Sequence, residues 1–175
     1  MWRLRLARSE DEPRLWGLID RSVRRLQAAD YSQTQLDSAI GSVYGVDLAV
    51  IADGTYFVAE ADDALVGAGG WSRRATLFGV HKEVRDERRL VPGQDPARIR
   101  AFYVDPDWAR QGIAGAILAA CEDAARAEGF THAALAASLT GRPFFARNGY
   151  VEKERFDTPL ANGEAMSLFT MEKTI

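Results

Sequence analysis

Residues with almost no side chain crowd the segment WARQGIAGAIL, residues 108–118. Gly112, Ala114 and Gly115 bury very little surface, yet the apolar residues that follow recur every three or four positions, as in an amphipathic helix. The first N–H groups of a helix have no intrahelical partner, and small residues leave them accessible. Either a ligand approaches the backbone here, or the small residues only allow close packing between helix and strand.

The segment ARIRAFYV, residues 97–104, is typical of a strand, and we expect Ile99, Ala101 and Tyr103 to share one face. A turn, DPDW, joins this strand to the helix. A strand, a tight turn and a helix with small first residues favour phosphate binding, because free N–H groups and the helix dipole both attract an anion. Arg110 adds a cationic side chain with several donors.

Two common phosphate-binding motifs are excluded. A Walker A loop needs Gly-Lys-Ser/Thr, but Ala116 and Ile117 follow Gly115. A Rossmann fingerprint needs Gly-x-Gly-x-x-Gly in an early βαβ unit, and this segment has neither that spacing nor that position.

Patterning along the rest of the chain predicts a single domain, residues 1–175, without repeats or linkers. Order weakens around residues 41–47, and the polar residues 73–97 predict a long excursion over one face. Strands are predicted at 2–6, 55–61, 65–72, 97–104, 131–137, 150–156 and 164–173. Helices are predicted from Ser9 or Asp11 to about 26, at 32–40, from about 112 to a cap at Gly129, and at 141–149.

Composition narrows the class of protein. Hydrophobic residues make up 47% and charged residues 27%, as in globular domains. The net charge of −3 argues against a nucleic-acid partner. The single Cys121 indicates a reducing compartment, and we expect it in the core. Because the sequence shows no apolar leader and no membrane-length apolar run, we expect a cytoplasmic protein with no membrane partner. We also expect a monomer or a small oligomer such as a homodimer, and no bound metal.

The segments quoted so far resemble the GNAT family of N-acyltransferases. Residues 103–106, Tyr-Val-Asp-Pro, are similar to the family's strand end, and residues 112–114 supply the Gly-x-Ala part of its motif. The resemblance continues in AEGF, residues 127–130, at the end of the helix. It continues further in FFARNGY, residues 144–150, where the family commonly has LYEKLGF. With the element order before them, the resemblance covers nearly the whole chain.

The resemblance implies an α/β (α+β) fold: a mixed, mostly antiparallel twisted sheet flanked by helices. Strands 98–104 and 131–137 should splay apart to admit acetyl-CoA. Its pyrophosphate would lie on the N–H groups of residues 110–115, and its pantetheine arm would pair with 102–104. The function implied is transfer of the acetyl group to an amine of a small molecule or protein by direct attack. The implied cofactor-binding residues are Phe102, Tyr103, Val104, Arg110, Gln111, Gly112, Ile113, Ala114, Gly115, Ser138 and Phe145.

Three positions depart from the family pattern. Ala109 stands where Arg or Gln is usual, and Ser138 where Asn is frequent. Phe145 stands where many members have a tyrosine that acts as the general acid. Tyr103 is then either a catalytic candidate or a packed strand residue. The departures leave open a non-catalytic acyl-CoA-binding or regulatory module, and also a domain for protein association.

The general base is unassigned. It would come from residues 73–97, from Asp30 or Asp37, or from solvent through a water molecule, because neither central strand carries a carboxylate. Trp71 either lines an acceptor pocket or belongs to the core. The arginines of the excursion alternate with acids, which favours a solvated or lid surface over an RNA site; they are Arg73, Arg74, Arg85, Arg88 and Arg89.

Overall fold

Seven strands and five helices make up the chain, and the computed structural model describes all residues 1–175. The strands are β1 (Arg3–Leu6), β2 (Tyr56–Ala61), β3 (Ala64–Ser72), β4 (Ala97–Val104), β5 (His132–Ser138), β6 (Val151–Pro159) and β7 (Ala165–Thr174). The helices are α1 (Glu12–Leu26), α2 (Gln33–Ala39), α3 (Leu48–Ala52), α4 (Ile113–Ala127) and α5 (Arg142–Arg147).

The strands form one sheet in the order β1-β2-β3-β4-β5-β7-β6. Every neighbouring pair is antiparallel except β4 and β5, which are parallel. These two strands pair only at Ala97–Ala133 and Arg98–Ala134 and then separate. The mixed, mostly antiparallel sheet and the splay of its two central strands are therefore confirmed.

Each face of the sheet is covered by its own hydrophobic cluster. On one face, α1 buries Leu15, Leu18 and Ile19 with the residues around α2 and α3. On the other face, α4 buries Ile117 and Cys121 with residues of α5. Cys121 is a core residue, as predicted, and burial raises the pKa of its thiol well above the usual value.

A bulge interrupts β4 at the point where it leaves β5. Ala101 and Phe102 stand opposite Gly69 alone, and Ala101 has a φ of 55°. The extra residue reverses the alternation, so Ile99 and Tyr103 lie in the clusters on opposite faces. The prediction that Ile99 and Tyr103 share a face is wrong. The bulge depends on Gly69 of β3, whose missing side chain leaves room for the Phe102 ring: a Cβ at Gly69 would lie 2.7 Å from that ring. The residue pattern of β4 alone does not reveal this glycine.

Two connections are more ordered than the sequence predicts. Residues 41–47 lead into α3, which begins where the Asp47 carboxylate accepts from the amides of Ala49 and Val50. The excursion 73–97 folds back on itself, with Ala75 N bonded to Arg88 O at 2.9 Å. The weak periodicity of both segments hid this order, because contacts with other segments hold them.

Candidate active site

The gap between β4 and β5 opens into a cleft of about 940 Å³. The cleft runs from the first turn of α4 through the splayed strands to the face that carries α1. Backbone and side chains from distant parts of the sequence line it: the end of α1, residues 43–45, residues 77–80, β4, the start of α4, β5 and α5. A bound molecule could therefore reach both faces of the sheet.

A row of free amides lies at one end of this cleft. The first intrahelical bond of α4 joins Ala116 N to Gly112 O at 3.0 Å. The backbone N–H groups of residues 110–115 donate to no acceptor in the chain. Together with the positive end of the helix dipole they form an anion-binding surface of the kind that holds a pyrophosphate.

Glycines 112 and 115 are not there for packing. Gly112 has a φ of 81°, a left-handed conformation that favours glycine. A Cβ added to Gly112 or to Gly115 would meet no atom within 4 Å, and both glycines line the cleft. Close helix–strand packing is served instead by Gly67 of β3, where a side chain would collide with Ile113. Of the two interpretations of this segment, the structure therefore favours a ligand.

Most of the predicted cofactor-binding residues line the cleft together. Gln111 is the exception, because it is exposed and lies outside the lining. The amide of Val104 donates to Ser22 Oγ at 3.2 Å, so that amide is not free for a pantetheine arm. The lining residues among those predicted are Phe102, Tyr103, Val104, Arg110, Gly112, Ile113, Ala114, Gly115, Ser138 and Phe145.

Two tyrosines meet in the cleft on the face that carries α1. The rings of Tyr44 and Tyr103 are 6.3 Å apart, edge to face. Tyr44 donates to Gln27 Oε1 at 2.7 Å, and burial raises the pKa of its hydroxyl well above the usual value. Sequence reasoning missed Tyr44, because a tyrosine in a Gly-flanked loop carries no periodic signal.

Tyr103 is the cleft tyrosine whose hydroxyl hydrogen is uncommitted. Its oxygen accepts from the Gly45 amide at 3.2 Å, and its hydroxyl donates to no group of the chain. Burial raises the pKa of Tyr103 to about 12, although the Gly45 amide opposes that rise. The hydroxyl is therefore protonated at neutral pH and available as a hydrogen-bond donor.

Phe145 closes the opposite side of the cleft. Its ring packs edge to face against Phe102, with centroids 5.7 Å apart, and against Phe144 and Tyr150. Tyr150 is no substitute acid, because it lies outside the lining and donates to Glu122 at 3.0 Å. The position where the family often has an acid is thus wholly apolar.

No aspartate or glutamate lines the cleft; its charged residues are Arg100, Arg110 and Arg147. Of the carboxylates considered from the sequence, Asp37 is exposed, and its ion pair with Arg24 lowers its pKa. Asp30 lies outside the lining and accepts at 2.6 Å from the hydroxyl of Thr140, which is a lining residue.

The excursion contributes to the cleft through residues 77–80. Four of its five arginines pair with carboxylates; they are Arg73, Arg74, Arg85 and Arg88. This pairing agrees with a solvated or lid surface. Trp71 is 1% exposed, packs on Phe130 and does not line the cleft, so it belongs to the core.

The model of the acetyltransferase (GNAT) domain family matches residues 52–152, which is more than half of the chain and includes β4, α4, β5 and α5. The chain belongs to the GNAT family. It is therefore an acetyltransferase. No functionally curated sequence matches the chain significantly.

Solved GNAT structures share the whole architecture. A GCN5-related N-acetyltransferase from Rhodopseudomonas palustris is 26% identical, with a TM-score of 0.72 over 99% of this chain and 95% of that one. The PaiA N-acetyltransferase of Thermoplasma acidophilum, solved with coenzyme A, is 16% identical, with a TM-score of 0.67 over 100% and 99%. The ribosomal-protein-S18-alanine N-acetyltransferase of Escherichia coli is 17% identical, with a TM-score of 0.61 over 100% and 94%.

Two further observations concern cofactors and location. No group of three or more His, Cys, Asp or Glu side chains is placed to hold a metal ion. None of the helices has the length and apolarity that crossing a membrane requires.

Proposed function

We propose that this GNAT protein transfers the acetyl group of acetyl-CoA to an amine by direct attack. The observation that carries the proposal is the row of free N–H groups at residues 110–115, at one end of a cleft that Gly112 and Gly115 line. These residues fit a coenzyme A pyrophosphate. Acetyl-CoA supplies an activated acyl group on a thiol leaving group, so the chain itself need supply no nucleophile.

The residues of β4 and α5 would receive the rest of the cofactor. The bulge takes Ala101 and Phe102 out of register with β3, and backbone groups released in this way are suited to bind an extended pantetheine arm or the developing oxyanion. The Ala101 carbonyl is not one of them, because it accepts from the Tyr56 hydroxyl at 2.7 Å. The ring of Phe145 offers an apolar wall beside Phe102. Ser138 is a weaker candidate, because its hydroxyl already accepts from the Gly141 amide at 3.0 Å.

Tyr103 is our candidate for the donor that assists the reaction. Its hydroxyl hydrogen is free, and it lies in the same cleft as the bulge. Because its pKa is raised to about 12, it would stabilise negative charge by a hydrogen bond rather than deliver a proton outright. No observation favours the non-catalytic alternative.

A pair of variants tests the cofactor site. Gly115→Asp adds a carboxylate at a position that lines the cleft and where an added Cβ meets no atom within 4 Å, and an acid in a first helical turn does not harm folding. Ala119→Asp adds the same charge to an exposed position of the same helix, outside the cleft. Thermal shift on adding acetyl-CoA should survive in Ala119→Asp and be lost in Gly115→Asp. An unchanged shift in folded Gly115→Asp would refute the site, and thiol release with an amine panel would then test transfer itself.

A further inference from the structure

The part of the cleft on the α1 face is an apolar chamber. Six side chains from four segments define it: Leu26, Val43, Leu77, Phe78, Val80 and Leu168. Leu168 belongs to the hydrophobic cluster of this face, and Phe78 packs against that cluster and on Phe156, with ring centroids 5.4 Å apart. An acceptor that enters from this face would therefore bury apolar surface, and the tyrosine pair at 44 and 103 lies beside it.

The chamber has no counter-charge for an ammonium group. No carboxylate lines the cleft, and the one charged residue on this side, Arg100, is cationic. Its guanidinium is already engaged by Asp47 at 2.8 Å and by the carbonyls of Thr76 and Gly79. An alkylammonium in this chamber would lose its hydration and gain no ionic partner, which is strongly unfavourable.

No base that could take a proton from such an ammonium lines the chamber. His81 packs on Phe78 with ring centroids 6.4 Å apart, but it lies outside the lining, and its Nδ1 is 2.9 Å from Ser42 O. Asp47 is fully engaged, because its oxygens accept from Ala49, Val50, Arg85 and Arg100. The Gln27 amide oxygen accepts from Tyr44 and is not a base. An alkyl amine has a pKa near 10.4 and would arrive protonated at neutral pH. An amine that is neutral at that pH needs neither counter-ion nor base.

We propose that the acceptor is a small apolar amine that is neutral at physiological pH, of the arylamine class, with its ring in the chamber. This inference rests on the proposed acetyl transfer. The nitrogen lone pair forms the C–N bond as the C–S bond breaks, and the proton lost from nitrogen ends on the thiolate of coenzyme A. The Tyr103 hydroxyl, whose hydrogen is uncommitted, lines the same cleft and is our candidate donor to that sulfur.

Two isomeric amines give a matched test. 4-Ethylaniline and phenethylamine have the same formula and similar apolar surface, but only the second is an ammonium at neutral pH. With acetyl-CoA at saturation, kcat/KM for 4-ethylaniline should exceed that for phenethylamine by about tenfold or more, as expected when one competitor meets an unsatisfied site. Spermidine and a peptide with a free α-amine complete the panel. Mass analysis identifies each acetylated product.

A designed carboxylate should reverse the preference. Leu26 is 36% exposed, so Leu26→Glu can enter the chamber without burying the whole side chain, and Leu26→Gln is its neutral control. Leu26→Glu should improve phenethylamine relative to 4-ethylaniline by about tenfold, since a nearby opposite charge favours the ammonium. Leu26→Gln should not. Equal effects of both variants would count against the electrostatic reason.

Asp30 provides the sharpest counter-test, because its carboxylate accepts from the hydroxyl of Thr140, a residue that lines the cleft. If Asp30→Asn lowers turnover of 4-ethylaniline a hundredfold, a base is in use and the proposal is wrong. Preference of the unmodified protein for phenethylamine, spermidine or the peptide would overturn the arylamine class alone and leave acetyl transfer intact. Acetyl-CoA binding without acetylation of any amine would overturn both.

Discussion

Arg100 of β4 and Asp47, the residue before α3, form a buried ion pair: Nη2 and Oδ2 are 2.8 Å apart, and the side chains are only 4% and 2% exposed. Burial lowers the pKa of the Arg100 guanidinium, whereas Asp47 opposes the change. The same guanidinium donates to Thr76 O at 2.9 Å and to Gly79 O at 2.7 Å. One cation thus ties β4 to the excursion and to the connection before α3, which together wall the chamber side of the cleft.

Removing this cation should destabilise the fold strongly. Arg100→Met removes the buried cation that pairs with Oδ2 of Asp47 and the donor to two carbonyls, so we expect the free energy of unfolding to fall by about 3–5 kcal/mol. Arg85→Met removes the more exposed partner of the same carboxylate and should cost about 1 kcal/mol or less. Denaturant titration of both variants measures the difference. Equal losses would contradict the anchoring role of Arg100.

Tyr103→Phe removes the free hydroxyl and keeps the ring. We expect kcat to fall by about 10- to 100-fold with little change in acetyl-CoA affinity, at the lower end of the effects of catalytic donors. Tyr31→Phe is the control, because the Tyr31 hydroxyl is held outside the cleft by Ser167 O and Leu139 N. It should lower stability and leave kcat unchanged. Since the pKa of Tyr103 is raised to about 12, no rate transition from this group should occur near neutral pH.

With phenylalanine at position 145, we expect the reaction to run without a general acid there. A simple thiol has a pKa near 8.5 and leaves readily, so general acid catalysis has little to add. Phe145→Tyr should therefore change kcat by less than about tenfold. Phe145→Ala should weaken acetyl-CoA binding through lost apolar contact, and should also lower stability. Steady-state kinetics over a range of pH checks both, and a hundredfold gain in kcat for Phe145→Tyr would show that proton delivery limits the reaction.

Acid should weaken the edge of the sheet at β1 and β2. Hydrogen bonds from Arg5, which have the largest effect, and from Arg14 lower the pKa of Glu60 to about 2. A lowered folded-state pKa means that the stabilisation from Glu60 is fully present above its ordinary value near 4.5 and is lost as pH falls towards 2. The Tm difference between the unmodified protein and Glu60→Gln should therefore shrink over that range. A difference that is the same at every pH would refute this assignment.

The sequence by itself determined the secondary-structure elements that depend only on interactions between residues close together in the chain. The spacing of Ile113, Ile117 and Cys121 defines α4, and the small residues before it leave the amides open, because both effects depend only on neighbours within a turn or two. The short strand, turn and helix around residues 97–127 therefore followed from pattern alone. The cofactor end of the cleft belongs to this part.

Only the tertiary structure decided the acceptor end. The bulge at Ala101 requires a glycine in another strand, so the face on which Tyr103 lies could not be read from β4. Likewise, Tyr44 and residues 77–80 enter the cleft because Arg100 binds Asp47 and the excursion's carbonyls across long separations in sequence. Such contacts join side chains and backbone groups that are far apart in the sequence, so no hydrophobic periodicity predicts them. They form only when the sheet has assembled.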